Sequence, residues 1–261
     1  GFDMYEGYWD KHNNGSIILH LQMGFKIQSM RKEEQLLLSG NVRLVQKKIM
    51  QLYSQFAKYY DLIFPAKLET VQFLTQHFSQ GHILDMACGS GEYSIALAKE
   101  GFIVTGMDID PEMIAYATVK GKDSHQKVDF EETGMLEFIP RKQYDGIFCI
   151  GNSIVHLENL EYIKKTLEMF YKALKKQGKM ILQIINYDVI PTNSISKLPS
   201  IENQGVTFHR TYVPIDDKRL EFQTSLQTPD TVFNNSAILY RLRAKDLLPL
   251  LEEVGFKIEA T

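Results

Sequence analysis

The sequence predicts an α/β fold in which a mostly parallel sheet is flanked by helices, with a small antiparallel β lid inserted after the fifth core strand. Short apolar runs alternate with segments of helical spacing from residue 82 to residue 185, which is the pattern of a parallel sheet wound with helices. The pattern then changes to short antiparallel strands joined by polar turns. The predicted lid strands are 205–213, 219–228 and 236–242, with turns at Asp216-Asp217 and Asn234-Asn235.

Length and composition restrict the classes of protein to consider. A chain of 261 residues with 44% hydrophobic content can form one domain with an insertion, or one and a half domains. The net charge of −3 gives no reason to expect a nucleic-acid partner. No run approaches about 18 apolar residues, so we expect no membrane span. The first residues do not have the pattern of a secretion signal. Cys88 and Cys149 are interpreted as reduced core thiols of a cytoplasmic protein.

The most informative stretch, 83–110, is typical of a strand, a glycine turn, a helix and a second strand. Gly89 and Gly91 form the turn, because glycine tolerates positive φ and lets a ligand approach the backbone. A helix N-terminus beside such a turn offers N–H groups to the ligand, and Asp108 ends the second strand where a ribose would lie. The dinucleotide fingerprint needs a third glycine where Ser94 stands, so that fingerprint fails.

What stands there instead is Asp-Met-Ala-Cys-Gly-Ser-Gly from Asp85, followed by Gly-Met-Asp-Ile-Asp-Pro-Glu-Met. These strings resemble the first two motifs of the class I S-adenosylmethionine (SAM) methyltransferases, whose core is Rossmann-like. In that family the glycine loop lies under the methionine part of SAM, and the acid after the second strand binds both ribose hydroxyls. The resemblance covers about 53–261. It assigns to the cofactor Tyr53, Tyr60, Asp85, Ala87, Gly89, Gly91, Asp108, Ile109, Met113, Gly134, Met135, Ile150 and Gly151.

Two groups of these assigned residues rest on details of the family pattern. Residues 53–66 form an aromatic segment, predicted to be a helix ended by Pro65, that is similar to a family helix closing over SAM. Its rings at Tyr53 and Tyr60 either contact the cofactor or pack the helix on the core. Gly134 stands where the family usually has an acid, so a side-chain contact to adenine is lost while a backbone contact from Met135 is kept.

The acceptor side is predicted at the end of the fourth core strand, because ligands bind at the carboxyl ends of parallel strands. The string from Gly151 to Leu157, Gly-Asn-Ser-Ile-Val-His-Leu, and the later Asn-Tyr-Asp at 186–188 match the glycine and sarcosine N-methyltransferases. We predict Asn152, His156 and Tyr187 as catalytic residues; His156 has a structural role as the alternative. No metal site is predicted.

The resemblance divides the chain into four segments. They are an N-terminal extension (1–52), a SAM-binding core (53–186), the lid insertion (187–242) and a return to the core (243–261). In the extension, residues 17–27 alternate apolar and polar, which predicts a strand at a sheet edge or paired with another chain, and leaves a homo-oligomer open. The family has one more antiparallel strand after the last one recognised here, so that strand is absent or supplied differently.

The sequence therefore predicts transfer of a methyl group from SAM to a small-molecule acceptor, for which an amine is one candidate. The alternatives are a SAM-binding regulatory protein without turnover and a nicotinamide-dependent oxidoreductase. Ile185 stands where the glycine methyltransferases have an arginine that binds the substrate carboxylate, which predicts an acceptor other than glycine. Arg210 or Arg219 on the lid could replace that arginine, although the sequence places neither in the pocket.

Overall fold

The computed structural model describes residues 16–23, for which only the backbone is considered, and residues 57–259. The core elements are β1 (Ser16–Met23), α1 (Tyr60–Ile63, after a 3-10 turn at Ala57–Tyr59), α2 (Leu68–His77), β2 (His82–Met86), α3 (Glu92–Lys99), β3 (Ile103–Asp108), α4 (Pro111–Ser124), β4 (Val128–Glu132), β5 (Tyr144–Cys149), α5 (Leu160–Ala173) and β6 (Leu174–Ile185). The lid strands are β7 (Ser196–Asn203), β8 (Val206–Pro214), β9 (Arg219–Gln227) and β10 (Val232–Tyr240), followed by α6 (Ala244–Val254) and β11 (Phe256–Glu259).

The central sheet has seven strands in the order β11-β1-β6-β5-β2-β3-β4. Pairing is parallel from β6 through β5, β2 and β3 to β4. A second sheet of four antiparallel strands, β10-β9-β8-β7, follows β6 in the chain. The predicted α/β fold with an antiparallel lid is therefore confirmed. No helix in the described part of the chain is long and apolar enough to cross a membrane.

Strand β1 lies inside the central sheet and not at its edge. It pairs antiparallel with β6, where Leu19 faces Leu182, and antiparallel with β11, where Leu21 faces Ile258. The expectation of an edge strand is wrong, because both edges of β1 are paired within one chain. The additional antiparallel strand of the family sheet is therefore supplied from the N-terminal side of the core. Residues 24–27 of the predicted strand lie outside the described residues.

Apolar runs fill the two layers on either side of the parallel strands. The last three residues of β5, Ile147 to Cys149, are fully buried, as expected for a strand covered on both faces. Helix α5 presents one apolar stripe to the core through Ile163, Leu167 and Phe170. The side chain of Asn159 caps this helix by accepting a hydrogen bond from the Tyr162 N–H at 2.9 Å.

The lid has four strands where the sequence predicted three. Strand β7 was not predicted, because most of its residues are polar and it includes a proline, Pro199. The predicted turn at Asn234-Asn235 is also wrong, since both residues pair with β9 inside β10. The chain turns earlier, where the N–H of Thr228 donates to the carbonyl of Thr231 at 2.9 Å.

Apolar packing and a buried arginine seat the lid on the core. Its inner face packs on α1 through a cluster formed by Ile63, Val206, Phe208, Leu226 and Ala237. At its base, the guanidinium of Arg241 is 2% exposed and donates to the carbonyls of Ile190 and Pro191. Because Arg241 follows the last lid strand and Pro191 precedes the first, this arginine joins both ends of the insertion.

Candidate active site

The loop between β2 and α3 is shaped by residues with positive φ. Gly89 has a φ of +54°, and a Cβ built there would lie 3.3 Å from the ring of Tyr60. That spacing is tighter than most Cβ contacts, so a side chain at residue 89 would displace the tyrosine. The aromatic ring of α1 therefore lies directly against the glycine loop, as the predicted closing helix requires.

Gly91 serves packing and does not line the cavity. A Cβ at this position would lie 2.5 Å from the ring of Phe130 on β4 and 2.9 Å from the Cβ of Ala117. A Cβ at Gly106 would meet the same ring at 2.6 Å. The second glycine of the loop thus makes room for Phe130, whose ring lies against the N-terminus of α3, helix α4 and strand β3.

Asp85 lies beneath the loop and bonds within the protein. Its side chain is 2% exposed, and one carboxyl oxygen accepts from the hydroxyl of Ser94 at 2.6 Å. Burial raises the pKa of Asp85 to about 7, with the Ser94 hydrogen bond opposing and the charge of Asp108 adding to the shift. This pair ties the end of β2 to α3, and it explains why serine stands where a dinucleotide fold has its third glycine.

Asp108 lies on the cavity at the end of β3. One carboxyl oxygen accepts from the N–H of Gly89 at 2.8 Å, and the other accepts from the N–H of Asp110 at 3.0 Å. Burial raises the pKa of Asp108 to about 6, against the lowering effect of these backbone bonds. Each oxygen retains a second lone pair, so the carboxylate can accept from two hydroxyl groups of a ligand while holding the loop.

A charged network fixes α1 over the loop. The carboxylate of Asp61 accepts from the Ser90 hydroxyl and pairs with Lys120 of α4 at 2.6 Å. The same ammonium group pairs with Glu92, the first residue of α3, at 2.7 Å. We call Asp61, Ser90, Glu92 and Lys120 the α1 latch, because together they connect α1 to the loop and to helices α3 and α4.

The main cavity runs along the carboxyl ends of β2, β3 and β5. Ten of the predicted site residues line it: Tyr60, Ala87, Gly89, Asp108, Ile109, Met113, Gly134, Met135, Gly151 and His156. The predicted residues Asp85, Gly91, Ile150, Asn152 and Tyr187 do not line it, and Tyr53 lies outside the described residues.

At the acceptor end, Asn152 and Tyr187 bond to each other. The amide of Asn152 donates to the Tyr187 hydroxyl at 2.9 Å, and its carbonyl oxygen accepts from the N–H of Ile185 at 3.1 Å. Tyr187 is fully buried. These bonds join the end of β5 to the end of β6. Of the three residues predicted to be catalytic, His156 is therefore the one that reaches the cavity.

His156 is 8% exposed and lies in a 3-10 turn, Ser153–His156, after β5. Burial lowers the pKa of His156 to about 4, so its imidazole is neutral at physiological pH. Among the described residues, no three or more His, Cys, Asp or Glu side chains are grouped so that they could hold a metal ion.

Several lining residues were not predicted from the sequence. They are Met86, Asp110, Thr133, Leu136, Leu157, Glu158 and Tyr162. Asp110 carried a usable signal, because an Asp before Pro marks a helix N-cap at the ligand end of a strand, and it accepts from the Glu112 N–H at 2.9 Å. The position of Tyr162 had no such signal, since it depends on how α5 packs.

Comparisons with known proteins agree with this geometry. Residues 83–178 match a family model described as a methyltransferase domain. A glycine/sarcosine N-methyltransferase from Halorhodospira halochloris is 34% identical over 182 residues, which are 67% of this chain and 65% of that relative, just under two thirds of its length. A relative of the same description from Aphanothece halophytica is 29% identical over 72% of this chain and 70% of its own. A SAM-dependent methyltransferase from Clostridium acetobutylicum shares the fold, with a TM-score of 0.66 at 18% identity over 78% of this chain and 87% of its own.

The cavity suits the cofactor of those proteins. The absence of a side chain at Gly89 leaves the backbone open to a ligand, the carboxylate of Asp108 can accept from ribose hydroxyls, and Met113 and Met135 supply apolar wall for a purine. With this sheet order, this loop and this similarity to methyltransferases along its core, the chain belongs to the class I SAM-dependent methyltransferases.

Proposed function

We propose that this chain transfers the methyl group of SAM to the nitrogen of a small-molecule amine. The observation that carries the proposal is a single cavity lined at one end by Gly89 and Asp108, and at the other by Gly151, Ser153 and His156. A donor held at the first end would present its reactive group toward the second. The N-methyltransferase relatives support nitrogen as the accepting atom.

The protein's own contribution to such a reaction is alignment and exclusion of water. SAM, when bound, supplies an electrophilic methyl group on a sulfonium, and methyl transfer of this kind needs in-line placement more than side-chain chemistry. In the proposal, Asp108 holds the ribose, the α1 latch keeps Tyr60 over the loop, and the lid covers the acceptor. A strong general base is not required once the amine arrives neutral.

His156 is the residue we propose to contact the acceptor. Its neutral imidazole can accept a hydrogen bond from an amine, although a pKa of about 4 makes it a weak acceptor of the proton itself. Asn152 and Tyr187 are then positioning residues, because their mutual hydrogen bond fixes the end of β5, from which the His156 turn begins.

Binding and turnover test the proposal separately. Calorimetry should show binding of SAM and of S-adenosylhomocysteine, and no binding of NAD. Labelled SAM should then transfer its methyl group to at least one member of a panel of small amines. NAD binding without SAM binding would overturn the proposal. SAM binding without transfer even in a single turnover would favour a regulatory role.

Two further expectations stay predictions. A cytoplasmic location is supported by Cys88 and Cys149, which are both free thiols. The net charge of −3 supports a protein without nucleic-acid partners. Cell fractionation with an antibody to the protein, and binding assays with duplex DNA at low salt, would check them.

A further inference from the structure

The inner face of the lid carries one arginine among apolar side chains. On β8, residues 206, 208, 210 and 212 share the face that packs on the protein, and Val206, Phe208 and Tyr212 are buried. The strand register places Thr224 of β9 beside Arg210 and Asn235 of β10 beside Thr224. Along this face of β8, β9 and β10, all of which the structure describes, Arg210 is the charged residue.

The guanidinium of Arg210 is only partly satisfied. Its Nη2 donates to the carbonyl of Pro199 at 2.9 Å, and its Nε is buried without a hydrogen-bond partner among the described residues. No carboxylate of the described residues lies within 4 Å of it. Burial lowers the pKa of Arg210, with Tyr212 opposing. A partly buried cation without a counter-ion is costly unless a ligand compensates it.

The position of Arg210 along β8 is informative. On one side of it, Val206 and Phe208 pack on Ile63 of α1, the helix that covers the cofactor loop. On the other side, Tyr212 joins the core cluster that contains Tyr187, at the end of β6. Arg210 thus lies on the part of the lid that spans from the cofactor helix to the strand end where the acceptor is expected.

We propose that Arg210 binds an anionic group, a carboxylate or a phosphate, of the amine that this chain methylates. The inference rests on the proposed function and adds a specificity-determining residue to it. A guanidinium offers two parallel N–H groups to either anion. Ile185, at the end of β6, cannot bind an anion, and its N–H is already donated to Asn152. The lid therefore supplies the positive charge that the strand end lacks.

The competing explanation is structural, because the Arg210 bond to Pro199 spans the irregularity in the pairing of β7 with β8. The two explanations differ in what a substitution changes. A structural arginine affects folding and every ligand alike, whereas an anion-binding arginine affects only ligands with a negative charge.

The test is calorimetry on the full chain saturated with S-adenosylhomocysteine. The probes that carry a carboxylate or a phosphate group are glycine, β-alanine, 4-aminobutanoate and phosphoethanolamine, and the comparisons that lack an anionic group are ethylamine, propylamine and ethanolamine. The variants are Arg210→Gln and Arg210→Lys. The control is Arg219→Gln, because Arg219 is exposed on the outer face and pairs with Asp216 at 2.7 Å.

We expect at least one anionic amine to bind the wild type, and Arg210→Gln to weaken that binding by about 10- to 100-fold. Arg210→Lys should be intermediate, Arg219→Gln should match the wild type, and all four proteins should bind S-adenosylhomocysteine equally. Preference among the probes distinguishes a carboxylate from a phosphate. The inference is overturned if no probe with an anionic group binds, if amines without an anionic group bind as well, or if Arg210→Gln binds like the wild type. Failure of S-adenosylhomocysteine itself to bind would instead contradict the proposed function.

Discussion

The carboxylate of Asp108 accepts two backbone N–H groups before any ligand is present. Its proposed ribose contacts add two charge-assisted hydrogen bonds, each worth about 1.5–3 kcal/mol, of which water recovers part. Asp108→Ala should therefore weaken SAM binding by about 2–4 kcal/mol, measured by calorimetry. Asp129→Ala, at an exposed position on β4, is the matched control. An unchanged dissociation constant for Asp108→Ala would show that Asp108 only holds the loop.

Asp85 leads to a second prediction for a single residue, which concerns how the stability of the fold depends on pH. Its pKa in the folded protein, about 7, lies above the ordinary value, so the folded state binds the proton more tightly than the unfolded state. The resulting stabilisation is full below about pH 4 and is lost as the pH rises through 7. Between pH 5 and pH 8 the titration of Asp85 should lower the free energy of unfolding of the wild type by about 2–3 kcal/mol.

Asp85→Asn removes that titration while keeping an oxygen for the Ser94 hydroxyl. Urea unfolding at pH 5 and pH 8 should show a smaller loss of stability for the variant than for the wild type. Asp123→Asn, an exposed position on α4, should behave like the wild type. Equal pH dependence in wild type and Asp85→Asn would mean that Asp85 titrates normally.

At this scale the sequence predicts residue types better than residue contacts. The spacing of Gly89 and Asp108 suffices to place both near a ligand, because both follow strands whose ends meet at one edge. The packing of Gly91 on Phe130 could not be predicted, since the two residues are far apart in the chain and meet only after β3 and β4 pair. The site assignments themselves stay predictions until ligand binding is measured.

The α1 latch shows how one short helix is held by charge. Helix α1 has four residues, too few to be stable in isolation, and its side-chain hydrogen bond to the glycine loop is made by Asp61. Removing the ammonium group by Lys120→Met leaves the carboxylates of Asp61 and Glu92 without the cation that pairs with them. We expect SAM binding to weaken about 3- to 10-fold, as for partly exposed ion pairs. Lys122→Met, an exposed position on the same helix, is the control.

The α1 latch prediction is best measured by stopped-flow release of S-adenosylhomocysteine. If α1 covers the bound cofactor, Lys120→Met should accelerate release more than it slows binding. Added salt should weaken cofactor binding by the wild type until its affinity approaches that of the variant. Identical release rates in Lys120→Met and Lys122→Met would show that the network does not hold the cofactor.

Elements with strong periodicity were predicted well, and elements specified by their neighbours were not. The strand, helix and second strand expected within 83–110 are present as β2, α3 and β3. Strand β7 has polar residues and a proline, and it forms because β8 offers it an unpaired edge. Asn234 and Asn235 have the local sequence of a turn, but the hairpin closes at Pro229-Asp230 instead. Both pairs have residues that favour turns, so local sequence rules cannot decide between the two positions.

At the scale of the whole molecule, the sequence periodicity predicted that residues near the N-terminus form a strand but could not identify its partners. Register depends on which edge remains open after the core has assembled. The open positions here are beside β6 and β11, and β1 fills both. The N-terminal strand is thus an integral part of the sheet that carries the acceptor end of the cavity.

The last prediction tests whether β1 pairs within its own chain or with that of a second copy. Gln22 faces Lys257 of β11, and directly opposed residues of antiparallel strands have Cα atoms about 4.5–5.5 Å apart, within disulfide range. The pair Gln22→Cys with Lys257→Cys should oxidise to a cross-linked monomer in non-reducing electrophoresis. The shifted pair Gln22→Cys with Glu259→Cys, about 7–8 Å apart, should form little cross-link. A cross-linked dimer from the first pair would show that β1 is exchanged between copies, and no cross-link from it would refute the pairing.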